Sequence, residues 1–274
     1  MDNVFIQSPG NARIKEIRRL RERKYLKDSP LFYMEGTRIV GEAFRADPCA
    51  VETLIVAPEL IRSDFAADLV GEAAENGIEV LTLSAAAFGS ISIKENPQGI
   101  AALGRKRQAS FADLAIEPGL YLALNSVADP GNLGTMIRTA DAVDCRGVFL
   151  IGDSVSPYDI GAIRGSMGAV FTQKIVTTSY GAFLDWKREY GIRLIGTADS
   201  AASDYLEVDI PDTAIVMMGS EREGLTGAQL ADCDAVARIP MLRSCDSLNL
   251  AVAAGVMLYQ AYNVQRGYHL RKQL

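Results

Sequence analysis

Residues 121–144, YLALNSVADPGNLGTMIRTADAVD, join an uninterrupted apolar run to a polar turn and then to a helix. The run from Tyr121 to Leu124 has no polar alternation, as expected of a parallel strand covered on both faces. Asp129 is placed as an N-cap that accepts orphan backbone N–H groups, and Pro130 falls at the first helical position, where a missing donor costs nothing. Leu133, Ile137 and Ala140 recur at helical spacing and form the buried stripe. At 100° per residue Arg138 shares a face with Gly131 and Gly134, so that face is bare enough for a backbone or a ligand to come close. Read alone, Arg138 is a surface arginine paired with Asp141 at i, i+3. Asn132 in the same first turn, where donors point outward, tips the stretch toward a site.

The 274 residues fit two domains, because single cores stop growing near roughly 250–300 residues. Apolar residues make up 49% and charged residues 23%, which argues against disorder. The N-terminus MDNVFIQSPGNARIK has no secretory pattern and no apolar run reaches the roughly 18 residues of a membrane span, so a cytoplasmic protein without membrane association is expected. Cys49, Cys145, Cys233 and Cys245 show no C-x-x-C spacing and His269 is the single histidine. No metal-ligand cluster is expected, and a Ser-His-Asp scheme would have to use His269.

Net charge is −6, yet its distribution says more than its sum. Between Gly10 and Lys27 stand Arg13, Lys15, Arg18, Arg19, Arg21, Arg23, Lys24 and Lys27 against Glu16 and Glu22. Ile14, Ile17 and Leu20 run through the segment at helical spacing, which predicts one helix with a basic outer face. That face is either simply solvated or binds phosphates; a second cluster, Arg105-Lys106-Arg107, favours a phosphate track. Arg13, Lys15, Arg18, Arg19, Arg105 and Lys106 are the candidate contacts to nucleic-acid phosphates.

Strand and helix patterns alternate from Leu31 to Leu103, giving a small α/β domain over residues 1–104. A polar linker follows over 105–117. The alternation resumes over 118–274, giving an α/β domain with a mostly parallel sheet and helices on both faces. Predicted helices include 159–169 and 247 to about 266, the latter apolar almost all round from Leu248 to Tyr262 and in need of cover from its own chain or a partner.

Ligands of such sheets bind beyond strand carboxyl ends. Besides the opening stretch, two loops qualify. GSEREGLT, from Gly219, follows a fully apolar strand and is either a surface turn or a close-approach loop. IPMLRSCDSLN, from Ile239, enters the last helix, with Ser247 as either an ordinary N-cap or a site residue. No G-x-x-x-x-G-K-[ST] is present, and GAIRGSMGA has the wrong spacing for G-x-G-x-x-G, so a nucleoside triphosphate and a dehydrogenase-type dinucleotide are disfavoured.

In order and spacing, NSVADPGNLGTMIRTADA, IVMMGSEREGL and IPMLRSCDSLNLAVAAGVMLYQ resemble the three motifs of the SpoU, or TrmH-like, RNA ribose methyltransferases. The similarity spans about Leu120 to Arg266, and the N-terminal part is similar to that family's substrate-binding domain. It implies a deep trefoil knot near the C-terminus, a homodimer, and S-adenosylmethionine bound near Gly219, Ile239, Met241, Ser247 and Leu248. It implies Asn132, Arg138, Glu221, Ser247 and Asn249 as the catalytic group acting on a ribose 2′-hydroxyl, in ribosomal rather than transfer RNA. Three departures stand out: Arg222 where glycine is common, Arg243 where a small residue is usual, and Cys245 in place of an aliphatic. The alternative is a non-catalytic RNA-binding dimer that keeps the fold.

Overall fold

The computed structural model describes residues 5–114, 116–242 and 247–268, with only the backbone of Cys49. Arg243, Cys245 and His269 lie outside the described residues. In chain order the elements are β1 (Phe5–Ile6), α1 (Ala12–Arg19), α2 (Arg23–Asp28), β2 (Leu31–Glu35), α3 (Thr37–Ala46), β3 (Val51–Val56), α4 (Asp64–Glu75), β4 (Glu79–Leu83), α5 (Ala85–Ile91) and β5 (Ile100–Arg105). Then come β6 (Gly119–Asn125), α6 (Pro130–Ala142), β7 (Gly147–Ile151), α7 (Ile160–Ser166), β8 (Ile175–Thr178), α8 (Tyr180–Glu189) and β9 (Arg193–Thr197). The chain closes with β10 (Ser203–Asp204), β11 (Thr213–Met218), α9 (Gly227–Ala231), β12 (Ala235–Arg238) and α10 (Leu250–Gln265).

Two compact units result, the first comprising residues up to Arg107 together with Ser156–Phe171, the second Gln108–Val155 with the chain from Thr172. The first carries a five-stranded sheet ordered β1-β4-β3-β5-β2, in which β5 runs antiparallel to β3 and β2. Ile14, Ile17, Tyr33, Ile55, Leu81 and Phe88 share its core. Glu35 is buried there, and its carboxylate is satisfied by Ser92 Oγ at 2.6 Å, the Ile93 amide at 2.8 Å and the Tyr33 hydroxyl at 3.3 Å. A buried carboxylate is tolerated only with such a set of donors. Segment 156–171 joins this unit through Tyr158, whose hydroxyl donates to the Arg107 carbonyl at 2.6 Å while its ring stacks 4.6 Å from Phe32.

The second unit holds a seven-stranded, all-parallel sheet ordered β10-β12-β9-β11-β6-β7-β8 and flanked by helices. Its central pair, β11 and β6, is aligned from Thr213 opposite Gly119 to Met218 opposite Leu124. Both strands are buried over nearly their whole length, as their unbroken apolar runs require. One face packs on Tyr121, Phe149, Phe183 and Trp186, with ring centroids of Phe149 and Trp186 4.9 Å apart. The expected architecture, a parallel sheet domain plus a smaller N-terminal α/β domain, is the one observed.

Several local expectations need correction. The basic segment is two helices, because the chain turns at Leu20, which packs against the first unit's core, while Arg21 donates to the carbonyls of Ile91 and Ser92. The helix predicted over 159–169 stops at Ser166, since Met167 is left-handed at φ +54° and Gly168 follows at +104°. The last helix begins at Leu250 and its N-cap is Asn249, not Ser247. That helix is buried on one face only, through Ala251, Ala254, Met257, Leu258 and Ala261. Strands β1 and β10 and helix α5 are additional; all three are too short to carry a period.

Candidate active site

In an all-parallel sheet the carboxyl ends of β6, β9, β11 and β12 lie along one edge, and the residues that follow them build the site. After β6 the chain passes through Ser126 at φ +54° and reaches α6. Asp129 caps that helix by accepting from the Asn132 amide at 2.7 Å, with Pro130 at the first position. Leu133, Ile137 and Ala140 are buried as their spacing predicts. Helix α10 packs across α6; Gly134 is buried on α6, whereas a Cβ at Gly131 would meet only Asp129 Oδ1, at 3.1 Å.

After β11, Ser220 and Gly224 exchange backbone hydrogen bonds of 3.2 and 3.1 Å, so Glu221-Arg222-Glu223 sit at the tip of a tight turn. Gly219 is a steric necessity: a Cβ there would lie 2.0 Å from the Gly224 carbonyl carbon and 2.3 Å from the Leu225 nitrogen. Gly224, at φ +66°, supplies the left-handed conformation that closes the turn.

Beside this turn lies a cleft of about 420 Å³, within the roughly 300–1,000 Å³ of small-molecule sites. Gly219, Ile239, Met241, Ser247 and Leu248 all line it, as does Glu221. Residues 197–200, after β9, line it too and were not anticipated. The missing signal was strand order: β9 pairs directly with β11, which places Thr197 and Asp199 next to Gly219 only once the sheet is assembled.

At the edge of the cleft the three motifs meet in one relay. The Glu221 carboxylate accepts from the amides of Ala128 at 3.1 Å and Asp129 at 3.2 Å, and from Asn132 Nδ2 at 3.4 Å. Asn132 Oδ1 accepts from Asn249 Nδ2 at 3.0 Å. Asn249 Oδ1 in turn accepts from the amides of Ala251 at 2.9 Å and Val252 at 3.4 Å, capping α10. A carboxylate can only accept and a backbone amide can only donate, so both ends of the relay dictate how the two side-chain amides are turned. Partial burial pushes the Glu221 pKa up, but the bonds from backbone amides and Asn132 outweigh it, and the net shift is downward. Glu221 is therefore a fixed anion that holds the turn against the start of α6, where the helix favours negative charge.

Arg138 is exposed on α6 and stands outside both cleft and relay. The alternative pairing with Asp141 does not form: Asp141 accepts instead from Thr172 Oγ1 at 2.8 Å and Gln173 Nε2 at 3.3 Å, and Arg138 has no ion pair among the described residues. Arg222 lines the cleft and is exposed.

The predicted RNA contacts divide into two sets. Arg13 pairs with Glu79, Arg105 with Glu52, Arg107 with Asp47, and Lys106 Nζ donates to the Leu26 carbonyl. Burial also lowers the Lys106 pKa. Lys15 and Arg19 carry no such partner among the described residues, and Arg18 donates to the Pro9 carbonyl at 2.8 Å. Among the described residues no group of three or more His, Cys, Asp or Glu is placed to hold a metal, and no helix is long and apolar enough to cross a membrane. Burial pushes the Cys145 thiol up to about 12 and the Cys233 thiol up to about 11, so both stay protonated as structural thiols.

A parallel sheet with a glycine-tight cleft at its strand ends, edged by a carboxylate–amide relay, defines an α/β enzyme of the small-molecule-binding kind. The description "SpoU rRNA Methylase family" fits residues 119–259, and "MRM3-like substrate binding domain" fits residues 11–102. The chain belongs to the SpoU rRNA Methylase family. It is 30% identical over 254 residues to the 23S rRNA (guanosine(2553)-2′-O)-methyltransferase RlmP of Bacillus subtilis (strain 168), covering 93% of this chain and 97% of that one. An AdoMet-bound rRNA methyltransferase from Sinorhizobium meliloti superposes with TM-score 0.86 at 31% identity, over 95% of this chain and 98% of its own. The SpoU methyltransferase AviRb from Streptomyces viridochromogenes, solved with AdoMet, gives 0.82 at 25% identity over 93% and 98%.

Proposed function

We propose that this chain transfers the methyl group of S-adenosylmethionine to a ribose 2′-hydroxyl of ribosomal RNA, working as a cytoplasmic homodimer. The observation that carries the reading is the relay Glu221–Asn132–Asn249, which ties three sequence motifs together at the rim of the cleft. The residues present suit the cofactor. Ile239, Met241 and Leu248 offer apolar surface for a flat base, the loop at Gly219 offers backbone, and Asp199 and Glu223 offer carboxylates to a cationic ligand. When bound, S-adenosylmethionine supplies an activated methyl on a sulfonium.

The protein's task is then to align the hydroxyl and ease loss of its proton. Asn132 and Asn249 orient the ribose, with Ser247 beside them at the cleft. Glu221 holds the relay in place; with its oxygens already accepting three donors it is not the base. Arg138 grips the neighbouring phosphate and stabilises the developing alkoxide, since a guanidinium stays protonated at working pH. Exposed Val252 and Tyr259 lie seven residues apart on α10, and exposed Leu248 stands just before its N-cap, an apolar surface suited to a second copy. Arg138, exposed on the helix packed against α10, fits a site shared between protomers. The same reading includes a trefoil knot in 118–274, with residues 1–104 and linker 105–117 gripping structured RNA.

The non-catalytic alternative is disfavoured by the intact relay. The test is methyl transfer from radiolabelled S-adenosylmethionine to ribosomal and transfer RNA, followed by nucleoside analysis. Label in a 2′-O-methylated nucleoside of ribosomal RNA supports the reading; cofactor-independent RNA binding without label overturns it.

A further inference from the structure

The corner between α1 and α2 lies within the stretch matched to a substrate binding domain and carries features that the catalytic cleft does not explain. In one continuous helix Arg19 and Tyr25 would point about 120° apart and stand about 9 Å apart along the axis. The turn at residues 20–22 instead brings the Arg19 guanidinium over the Tyr25 ring, 5.5 Å from its centroid. Tyr25 nevertheless keeps 42% of its surface exposed, while the apolar residues around it, Ile14, Ile17 and Leu26, face inward and are buried. Lys15 lies one turn before Arg19 on the same face of α1, and Lys24 adjoins Tyr25. Among the described residues none of Lys15, Arg19, Lys24 or Lys27 has a carboxylate partner, although Glu16 and Glu22 are close in sequence. The two arginines of the segment that do pair, Arg13 with Glu79 and Arg23 with Asp159, tie the helices down and leave the corner's own charge unneutralised.

From this arrangement we infer that the α1–α2 corner is a docking site for an unpaired nucleotide of the RNA. The base extends the Arg19–Tyr25 stack and the flanking phosphates meet Lys15, Arg19 and Lys24. The inference rests on RNA being the substrate and adds where, and in what form, the N-terminal unit holds it. An exposed aromatic ring beside cations is the usual platform for a splayed base, because every base offers a π-face whatever its sequence. A-form duplex hides those faces and offers only phosphates, so a purely electrostatic surface would need the lysines but not the ring. A lipid surface is the poorer fit, since a single tyrosine with no exposed apolar neighbours gives little to insert.

The test compares binding of a fluorescein-labelled 12-nucleotide oligouridylate and a 12-base-pair RNA duplex, read by anisotropy, to the full chain and its Tyr25→Leu, Tyr25→Phe and Tyr25→Trp variants. Tyr25→Leu is expected to weaken the single strand by about tenfold while changing duplex binding by less than about twofold. Tyr25→Phe, which keeps the ring, is expected to bind both RNAs as the unaltered chain does. In Tyr25→Trp the introduced indole, distinguishable from buried Trp186, is expected to be quenched when oligouridylate binds. Equal single-strand affinity in Tyr25→Leu, or an unquenched indole at saturation, overturns the stack while leaving an RNA enzyme intact. Binding of phosphatidylserine vesicles that is lost in Tyr25→Leu, with RNA affinities unmoved, overturns it in favour of a membrane contact. Failure of the unaltered chain to bind either RNA counts against the RNA reading itself and takes this inference with it.

Discussion

Asn249 donates from Nδ2 to Asn132 Oδ1 at 3.0 Å, joining side chains 117 positions apart in sequence. That bond couples the start of α10 to the start of α6, and through Asn132 to Glu221. Asn132→Asp is expected to break the coupling at neutral pH, because two carboxylates would then face each other where an amide now donates. Methyl transfer should fall on the order of 10²-fold in kcat, as for removal of a preorganised donor. Activity of the variant should rise as pH falls, since one carboxyl of such a pair has a raised pKa and donates once protonated. In the unaltered protein the Glu221 pKa is lowered, so its stabilising charge is fully present above the ordinary carboxylate range and is lost as pH falls through that lowered value. A pH–rate profile with the same slope in both proteins would refute the relay.

Gly219 has no room for a methyl group, because the Gly224 backbone occupies the place of a Cβ. Gly219→Ala must therefore shift the turn that carries Glu221, and cofactor affinity should drop by at least about tenfold, a cost of about 1.4 kcal/mol. Gly227→Ala is the control, since a Cβ there meets nothing within 4 Å; its affinity should match the unaltered chain. Calorimetric titration with S-adenosylmethionine and S-adenosylhomocysteine reads both.

The apolar strands from Tyr121 and Gly147 and the capped start of α6 were legible in the sequence because their causes are local: an unbroken apolar run, an N-cap and a proline. The lining residues Gly219, Ile239, Met241, Ser247 and Leu248 were legible only through resemblance to known motifs, and Thr197 and Asp199 not at all. Their placement depends on β9 lying between β12 and β11, an order no local pattern encodes. The break at Leu20 was missed for a related reason. Nothing in RRLRERK disfavours a helix, and the turn is imposed by Leu20 packing on the core and by Arg21 reaching the carbonyls of Ile91 and Ser92.

Arg138 makes no ion pair among the described residues and is exposed, so Arg138→Ala should leave stability within about 0.5 kcal/mol. Cofactor affinity should also be unchanged, while methyl transfer should fall by about 10²-fold or more if the guanidinium meets phosphate or alkoxide. Urea unfolding, calorimetry and single-turnover transfer separate the three effects. A variant that keeps full transfer removes Arg138 from the chemistry.

Val252 is 53% exposed in the first turn of α10, with exposed Leu248 just before the Asn249 N-cap and exposed Tyr259 two turns further on. An aliphatic there gains by being covered and a carboxylate does not, so Val252→Glu should cost the folded monomer little and the association much. The unaltered chain is expected to scatter light as a dimer at micromolar concentration and Val252→Glu as a monomer with unchanged helix content. If Arg138 serves the partner's cleft, the monomer loses transfer. The same model predicts that mixing Arg138→Ala with Gly219→Ala restores part of it, because one of the two shared sites in a mixed dimer draws both intact residues. Without exchange of Arg138 between protomers, no mixture of those two variants can exceed the activity of its parts, and an unrestored rate in a verified mixed dimer would place the arginine on its own chain's substrate.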